Sequence, residues 1–529
     1  MFLTLPTLTG LLALAVIPFL LERYVVIGFK EPPAKRRALY YLGTPITSLL
    51  VYISFAVLLG HPIIAFAGWL LVYGGFTIVS NLKNGVLGEP LVAHDLETAR
   101  HLFIYPEFYV DYVGSTRLLT VVGTFITAIV VSYIFEPSFA GMQSVLPSWT
   151  AWALGLISWT LAMAVAGKLL GSFLSPERAR RMGFTFDINT DVARFGHFPL
   201  MLFYAVMLMN KERSAVLSVK HKPLTHPGTG VGTAPDIIAM QAESYFDVDR
   251  LYHLIPGYEN HGWQQLNSLR TAGAATGPLR VPAWGASTMQ SEFAFLSGTD
   301  NAALGIDRIN PYQRAAYTGV ETLATRLRAA GYHTVCVHPA KKEFFRRSTV
   351  IPKLGFSEFV GIEAFENAAR FGPYVSDKAL GDEMEAIITR HKANSDKPLF
   401  LFAITIESHG PWDAGRLEGW LDEEALEVAD PSRDRPFALF RRHMDNVLEL
   451  FARLGPQAKL ETNDRPRVLA LYGDHQPACH ELFARHGFED RDVDYILWSS
   501  RGAMTQPGPM AVHDLGEAAL KEAGFKGLA

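Results

Sequence analysis

The chain has 529 residues, 49% of them hydrophobic, with a formal net charge of −4 and a positive mean hydropathy of +0.13. That length is long for one domain, and with no basic block or arginine-rich stripe nothing points to nucleic acid. The two cysteines, Cys336 and Cys479, allow at most one disulfide and form no Cys-x-x-Cys pair, so they do not report a redox compartment.

Apolar residues crowd before residue ~210, which predicts a membrane region followed by a soluble one. Runs near 3–22, 38–59, 62–82, 118–136 and 150–172, with a shorter one at 195–210, each approach the ~20 residues that cross a bilayer core. The first lacks a basic leading region and an Ala-x-Ala cleavage site and runs into Glu22 and Arg23, so it is expected to stay in the mature protein. Arg23, Lys30, Lys35, Arg36 and Arg37 follow the first run, and Lys168, Arg178, Arg180, Arg181 and Arg194 follow the fifth. These loops are expected in the cytoplasm, with Lys83, Arg100 and Arg117 on the same side, whereas 60–62 and 136–148 carry no Lys or Arg. Six spans with both termini outside satisfy every loop. The sixth run holds His197 and Pro199 and also fits an interfacial helix, which leaves five spans. The division expected is a membrane domain over 1–210, a Pro/Gly/Thr-rich linker over 211–235 and a catalytic domain over 236–529.

In the soluble half, DIIAMQAES (236–244) is an apolar run ending in polar residues, the form of a buried parallel strand with functional groups at its carboxyl end. The form recurs at 333–339, 398–412 and 467–475, with amphipathic helices expected at 318–330, 376–392 and around 436–454. Alternation of this kind predicts an α/β domain with a mostly parallel central sheet, whose sites gather beyond the carboxyl ends of the strands. At 281–298 a turn-rich run precedes Thr288 at the start of a helix, where unpaired N–H groups favour an alkoxide or phosphate oxygen. Taken by itself such a threonine is more simply a plain helix cap, and it is the other residues of the set that favour the nucleophile. Glu243, Thr288, Asp474 and His475 together make an oxygen–nitrogen set suited to Mn²⁺, Mg²⁺ or Zn²⁺, and a metal there would activate the hydroxyl as a nucleophile.

These residues resemble the lipoteichoic acid synthase and membrane phosphoglycerol transferase group of the alkaline phosphatase and sulfatase superfamily. QAESYFD resembles its glutamate motif at Glu243, STMQSEF its Thr-x-x-x-Glu-Phe segment at Thr288, and YGDH its ligands Asp474 and His475. ESHGPW is similar to its substrate-contacting segment at His409, and VHPAKKEFFRRS to the stretch that lines the phosphoglycerol pocket, giving His338, Phe345 and Arg347. The resemblance implies a multi-pass bacterial cell-membrane enzyme with its catalytic domain on the extracytoplasmic side. Its cofactor would be one divalent ion, Mn²⁺ first, and its partners a phospholipid donor and an envelope glycan or polymer acceptor, with no nucleic acid. The chain departs from the pattern at Phe345, where the family often has Trp, at the additional Arg346, and at Gly410 after His409.

The implied reaction moves a glycerophosphoryl group from a lipid such as phosphatidylglycerol through Thr288 to the acceptor. A phosphoethanolamine transferase is the nearest rival, although such enzymes usually carry several soluble-domain cysteines. No Cys/Ser-x-Pro-x-Arg segment supports a formylglycine sulfatase. A catalytically inactive membrane sensor or scaffold is the non-enzymatic alternative. The Lys341, Lys342, Arg346 and Arg347 cluster is also consistent with a simple solvated surface.

Overall fold

The computed structural model describes residues 5–26, 33–34, 37–96, five positions between 123 and 134, 148–210, 223–224, 234–254, 263–423, 426, 431–462, 464–504 and 508–526. Two compact units divide the chain, Met1–Arg213 and Ser214–Ala529.

The first unit is helical: α1 (Leu5–Tyr24), α2 (Arg37–Leu59), α3 (Pro62–Leu87), α4 (Ser148–Phe173), α5 (Pro176–Arg181), α6 (Ile188–Phe195) and α7 (His197–Leu208). Among the described residues, Leu39–Leu59, Pro62–Gly85 and Trp149–Phe173 are long and apolar enough to cross a membrane. Ile157, Leu161, Val165 and Leu169 of α4 are exposed, as expected of side chains that meet lipid. Most of the run expected at 118–136 lies outside the described residues. The run expected at 195–210 becomes α7, 12 residues long. At 1.5 Å per residue such a helix reaches about 18 Å, short of a hydrocarbon core of about 30 Å, so α7 alone does not span. Its start is built into the fold. Gly196 adopts φ +84, where a side chain would collide with the Tyr40 ring, and the buried Glu22 carboxylate accepts the Phe198 N–H at 2.8 Å. Leu14, Trp69, Tyr73 and Phe198 form a core around this junction.

The second unit is built on an eight-stranded sheet in the order β10-β2-β9-β8-β1-β7-β3-β4. The strands are β1 (Asp236–Ala242), β2 (Ala275–Arg280), β3 (His333–Val337), β4 (Glu358–Val360), β7 (Leu399–Ile404), β8 (Arg467–Gly473), β9 (Val493–Ser499) and β10 (Met510–Ala511). A separate hairpin pairs β5 (Arg370–Phe371) with β6 (Tyr374–Val375). The central strands β8, β1, β7, β3 and β4 run parallel, and their near-continuous burial explains why their sequences are apolar rather than alternating. The mostly parallel α/β sheet expected from the sequence is therefore present. Its four expected strands end earlier than 244, 339, 412 and 475, because the polar residues beyond each last apolar position leave the ladder.

One departure matters for the site. β9 is antiparallel to β8, and β2 is antiparallel to β9, so after two reversals β2 runs in the same direction as the central strands. The chain leaving β2 thus emerges at the same edge as the chains leaving β1, β3, β7 and β8. It leads into α8 (Thr288–Ser297). The helix expected at 318–330 is the shorter α9 (Leu323–Ala329), because Thr322 and Thr325 form a reciprocal capping box that fixes its start. Following it are α10 (Arg347–Lys353), α11 (Asp377–Asn394), α12 (Pro431–Leu454) and α13 (Val512–Glu522).

Candidate active site

Four central strands deliver their following residues to one edge: Asp474 and His475 after β8, Glu243 after β1, Thr405 to His409 after β7, and His338 after β3. Glu243, Asp474 and His475 each offer a ligand atom, all within 4.8 Å of one another, and all three residues are buried. His475 Nε2 lies 3.5 Å from Glu243 Oε1 and 3.3 Å from Asp474 Oδ2. Ligands held about 2.1 Å from a tetrahedral ion stand about 3.4 Å apart, so the spacing suits a divalent metal. Buried Asp474 Oδ2 accepts no well-formed hydrogen bond, which an ion would remedy. The donor set of two carboxylates and one imidazole fits Mn²⁺, Mg²⁺ or Zn²⁺ without choosing among them.

Electrostatics at this cluster follow from crowding two acids in one buried place. Burial, followed by the nearby Glu243 charge, pushes the Asp474 pKa up to about 6. Burial opposes charging His475, but Asp474 and Glu243 outweigh it and raise its pKa. A cation would relieve both acids at once.

Thr288 is the first residue of α8, half-buried, and its hydroxyl is near enough to the Asp474 carboxylate to favour that group's charged form. It is not the helix cap. That position belongs to Ser287, which sits in the left-handed region at φ 71 and ψ 39 and makes no side-chain capping bond. Cap chemistry therefore does not account for the threonine. Strain at Ser287 is matched at Ser244, φ 59, and non-glycine residues hold such conformations only where surrounding bonds determine them. At Ser244 those bonds are visible: its N–H donates to Asp474 Oδ1 at 2.8 Å and its hydroxyl to Glu243 Oε1 at 3.0 Å. Thr405 Oγ1 accepts the Glu243 N–H at 2.9 Å, and Ser408 donates to the Glu243 carbonyl at 2.7 Å. Gly473 is required for a different reason: a Cβ there would lie 1.9 Å from the Tyr245 carbonyl oxygen.

Arg347 is not on a solvated surface. It is 2% exposed and donates through Nη2 to the fully buried Glu292 at 2.7 Å. Glu292 also accepts from Tyr312, and Gln241 and Tyr472 extend the buried polar chain. Glu292 lies one helical turn after Thr288, so α8 carries both the hydroxyl and the carboxylate that fixes Arg347. His338 holds its Nδ1 3.0 Å from the Ile404 carbonyl and its Nε2 3.4 Å from Arg347 Nη1. Those partners fix the neutral tautomer protonated on Nδ1, and burial together with the Arg347 charge pushes its pKa well below the ordinary value. Phe345 is half-buried with its ring 5.4 Å from the Arg347 guanidinium. His409 is half-buried, with Nδ1 2.9 Å from the Gly410 carbonyl and 3.4 Å from the Tyr374 hydroxyl. Cys336 and Cys479 are both free thiols.

A parallel-sheet domain with a carboxylate–imidazole cluster and a hydroxyl at a helix start belongs to the class of α/β enzymes that work on phosphate or sulfate esters at metal centres. Residues 256–525 match the sulfatase family, about half of the chain, and the chain belongs to that family. It is 27% identical over 458 residues to the capsular polysaccharide biosynthesis protein RkpI of Rhizobium meliloti, covering 85% of this chain and 79% of that protein. It is 27% identical over 338 residues to a putative cyclic beta-1,2-glucan modification protein of the same organism, covering 59% of this chain and 49% of that one. Lipooligosaccharide phosphoethanolamine transferase A from Neisseria meningitidis shares the fold over 98% of this chain and 96% of its own, with TM-score 0.56 and 9% identity. Streptococcus pyogenes phosphoglycerol transferase GacH aligns over 56% of this chain and 76% of its own, with TM-score 0.44 and 20% identity.

Proposed function

We propose that the protein is a metal-dependent membrane transferase that moves a glycerophosphoryl group from a lipid such as phosphatidylglycerol, through Thr288, to an envelope glycan or polymer. The observation that carries this reading is the cluster of Glu243, Asp474 and His475, whose Asp474 carboxylate lies beside the hydroxyl that opens α8. A divalent ion held by that cluster supplies Lewis acidity, lowering the pKa of the adjacent hydroxyl and offsetting phosphoryl charge. After its proton leaves to water, the Thr288 oxygen attacks phosphorus in line, and the bond from phosphorus to the diacylglycerol oxygen breaks. The departing oxygen takes its proton from water; in the second half-reaction the Nε2 lone pair of His409 takes one from the acceptor hydroxyl, which displaces Thr288, and the freed Thr288 oxygen regains its proton from water. Arg347, held by Glu292 and backed by Phe345 and His338, supplies fixed positive charge at the phosphoryl group.

Relatives named for capsular polysaccharide biosynthesis and cyclic glucan modification support a glycan acceptor. The membrane-crossing helices support a lipid donor, and the basic loops support a catalytic unit outside the cytoplasm. The test incubates the full-length chain in nanodiscs with Mn²⁺ and either phosphatidylglycerol or phosphatidylethanolamine, and reads diacylglycerol release and intact mass. A glycerophosphoryl adduct on Thr288 is expected. A phosphoethanolamine adduct instead assigns the rival head group, and absence of any adduct and of diacylglycerol release overturns the transferase reading.

A further inference from the structure

The segment that carries His409 is closed on itself by one side chain. Arg416 Nη2 donates to the His409 carbonyl at 2.6 Å and to the Glu407 carbonyl at 3.1 Å, and Nη1 donates to the Pro411 carbonyl. Its Nε donates to His443 Nε2 at 3.1 Å. Three carbonyls flanking the imidazole on both sides are thus tied to a single planar group. Its guanidinium also lies 5.6 Å from the Tyr374 ring centre, and that ring meets His409 edge-on at 5.6 Å.

The clamp is anchored below the surface. His443 of α12 is fully buried, and because its Nε2 accepts from Arg416, its proton sits on Nδ1 and is donated to Glu407 Oε1 at 2.8 Å. The same buried carboxylate accepts from Asn446 at 2.8 Å and from the Asp377 N–H at the start of α11 at 2.7 Å. Glu407, His443 and Arg416 therefore form a closed circuit, since Arg416 returns to the Glu407 carbonyl. At the other end of the segment, Thr405 and Ser408 are bonded to the backbone of Glu243. His409 is held between the metal-ligand strand and the Arg416 circuit, with its Nδ1 directed to the Gly410 carbonyl and the lone pair on Nε2.

We propose that Arg416 is a positioning residue for His409, fixing the ring's orientation and its Nδ1-protonated tautomer; this rests on reading His409 as the group that handles the proton in phosphoryl transfer. Only arginine presents N–H groups in the planar fork that the carbonyls and His443 require, so lysine is not an adequate substitute.

The full-length chain in phosphatidylglycerol nanodiscs with Mn²⁺ tests this by diacylglycerol release. Arg416→Ala should lower kcat about 10- to 100-fold, the usual effect of removing a group that orients a site residue, with bound metal per chain unchanged. In a His409→Ala background the same substitution should change kcat less than about twofold, because the ring it positions is gone. A further tenfold loss in that background, or wild-type kcat in Arg416→Ala alone, overturns the proposal. Arg416→Lys should fail to restore kcat, and it carries the test if the alanine variant does not fold. A second readout is independent of turnover: imidazole nitrogen shifts, assigned with His409→Asn, should show one tautomer in the wild type and a mixture in Arg416→Lys. An unchanged signal sinks the proposal whether or not lipid is consumed, whereas a changed signal without any Thr288 adduct leaves the clamp standing and removes only the transferase reading.

Discussion

The Ser291 hydroxyl donates to the backbone carbonyl of Asp474, joining α8 to one member of the candidate metal cluster. Ser291 lies three positions after Thr288, on the same helical face. The Thr288 helix and the cluster are therefore held in register by a bond that uses neither the Thr288 hydroxyl nor the Asp474 carboxylate.

Because Ser287 and not Thr288 occupies the cap position, Thr288→Ala should cost no more than about 1 kcal/mol of stability. Bound metal should persist through Glu243, Asp474 and His475, while diacylglycerol release falls at least a thousandfold. Thr288→Ser should retain part of the rate. Wild-type turnover by Thr288→Ala would remove the nucleophile assignment.

Metal affinity should weaken on acidification. In the metal-free site, burial and Glu243 hold the Asp474 pKa near 6, so below that value an ion must displace a proton to bind. The apparent dissociation constant for Mn²⁺ by calorimetry should rise as pH falls through neutrality, because the raised pKa of His475 makes it compete for a proton, and more steeply from about 6 to 5, where Asp474 does so too. Chelation at pH 7.5 should lower the melting temperature, since binding to the native state alone stabilises it. Asp474→Asn should weaken binding and remove the component of the pH dependence that lies near 6, leaving that of His475.

His443 offers a stability test away from the ligands. Burial leads in pushing its pKa below the ordinary histidine value, so between that depressed value and about 6.5 the unfolded chain binds a proton that the native chain does not. Stability from this group is present above about pH 6.5 and is lost as pH falls. Wild-type unfolding free energy should therefore drop more steeply between pH 7 and 5 than that of His443→Gln. Parallel slopes would contradict the neutral, Glu407-bonded imidazole.

The Glu292–Arg347 pair should show strong coupling. Removing one member leaves the other charged and buried, at a cost of about 3–5 kcal/mol. Arg347→Met and Glu292→Leu should each be severely destabilising, and the double variant should be less so than their sum by more than about 1 kcal/mol. Additive losses in denaturant titrations would show that the two side chains do not depend on one another.

The residues at the strand ends were legible because a buried parallel strand is apolar throughout, so the first polar residue after it marks the sheet edge; Glu243, Asp474 and His475 stand out in this way. Thr288 was visible through the turn chemistry before it. β2 was hidden, because Gly277 and Pro278 break its apolar pattern, and with it the double reversal that brings α8 to the site. His443 and Arg416 were also hidden. One lies within an amphipathic helix and the other in a polar loop, and only the fold shows that they share Glu407. Ser244, Thr405 and Ser408 were unreadable for the same reason, being ordinary small polar residues whose partners are up to 230 positions away. The short α7 shows the converse, an apolar run whose actual helical length composition overstates.

Gly473 carries a consequence for surveying distant relatives. A chain can keep the glutamate, the Asp-His pair and the threonine and still lose the centre through one exchange at this position, since any side chain would be driven into the Tyr245 carbonyl and displace the strand end that presents Asp474. The space above this one backbone atom is therefore as much a condition of the cluster as the side chains that form it.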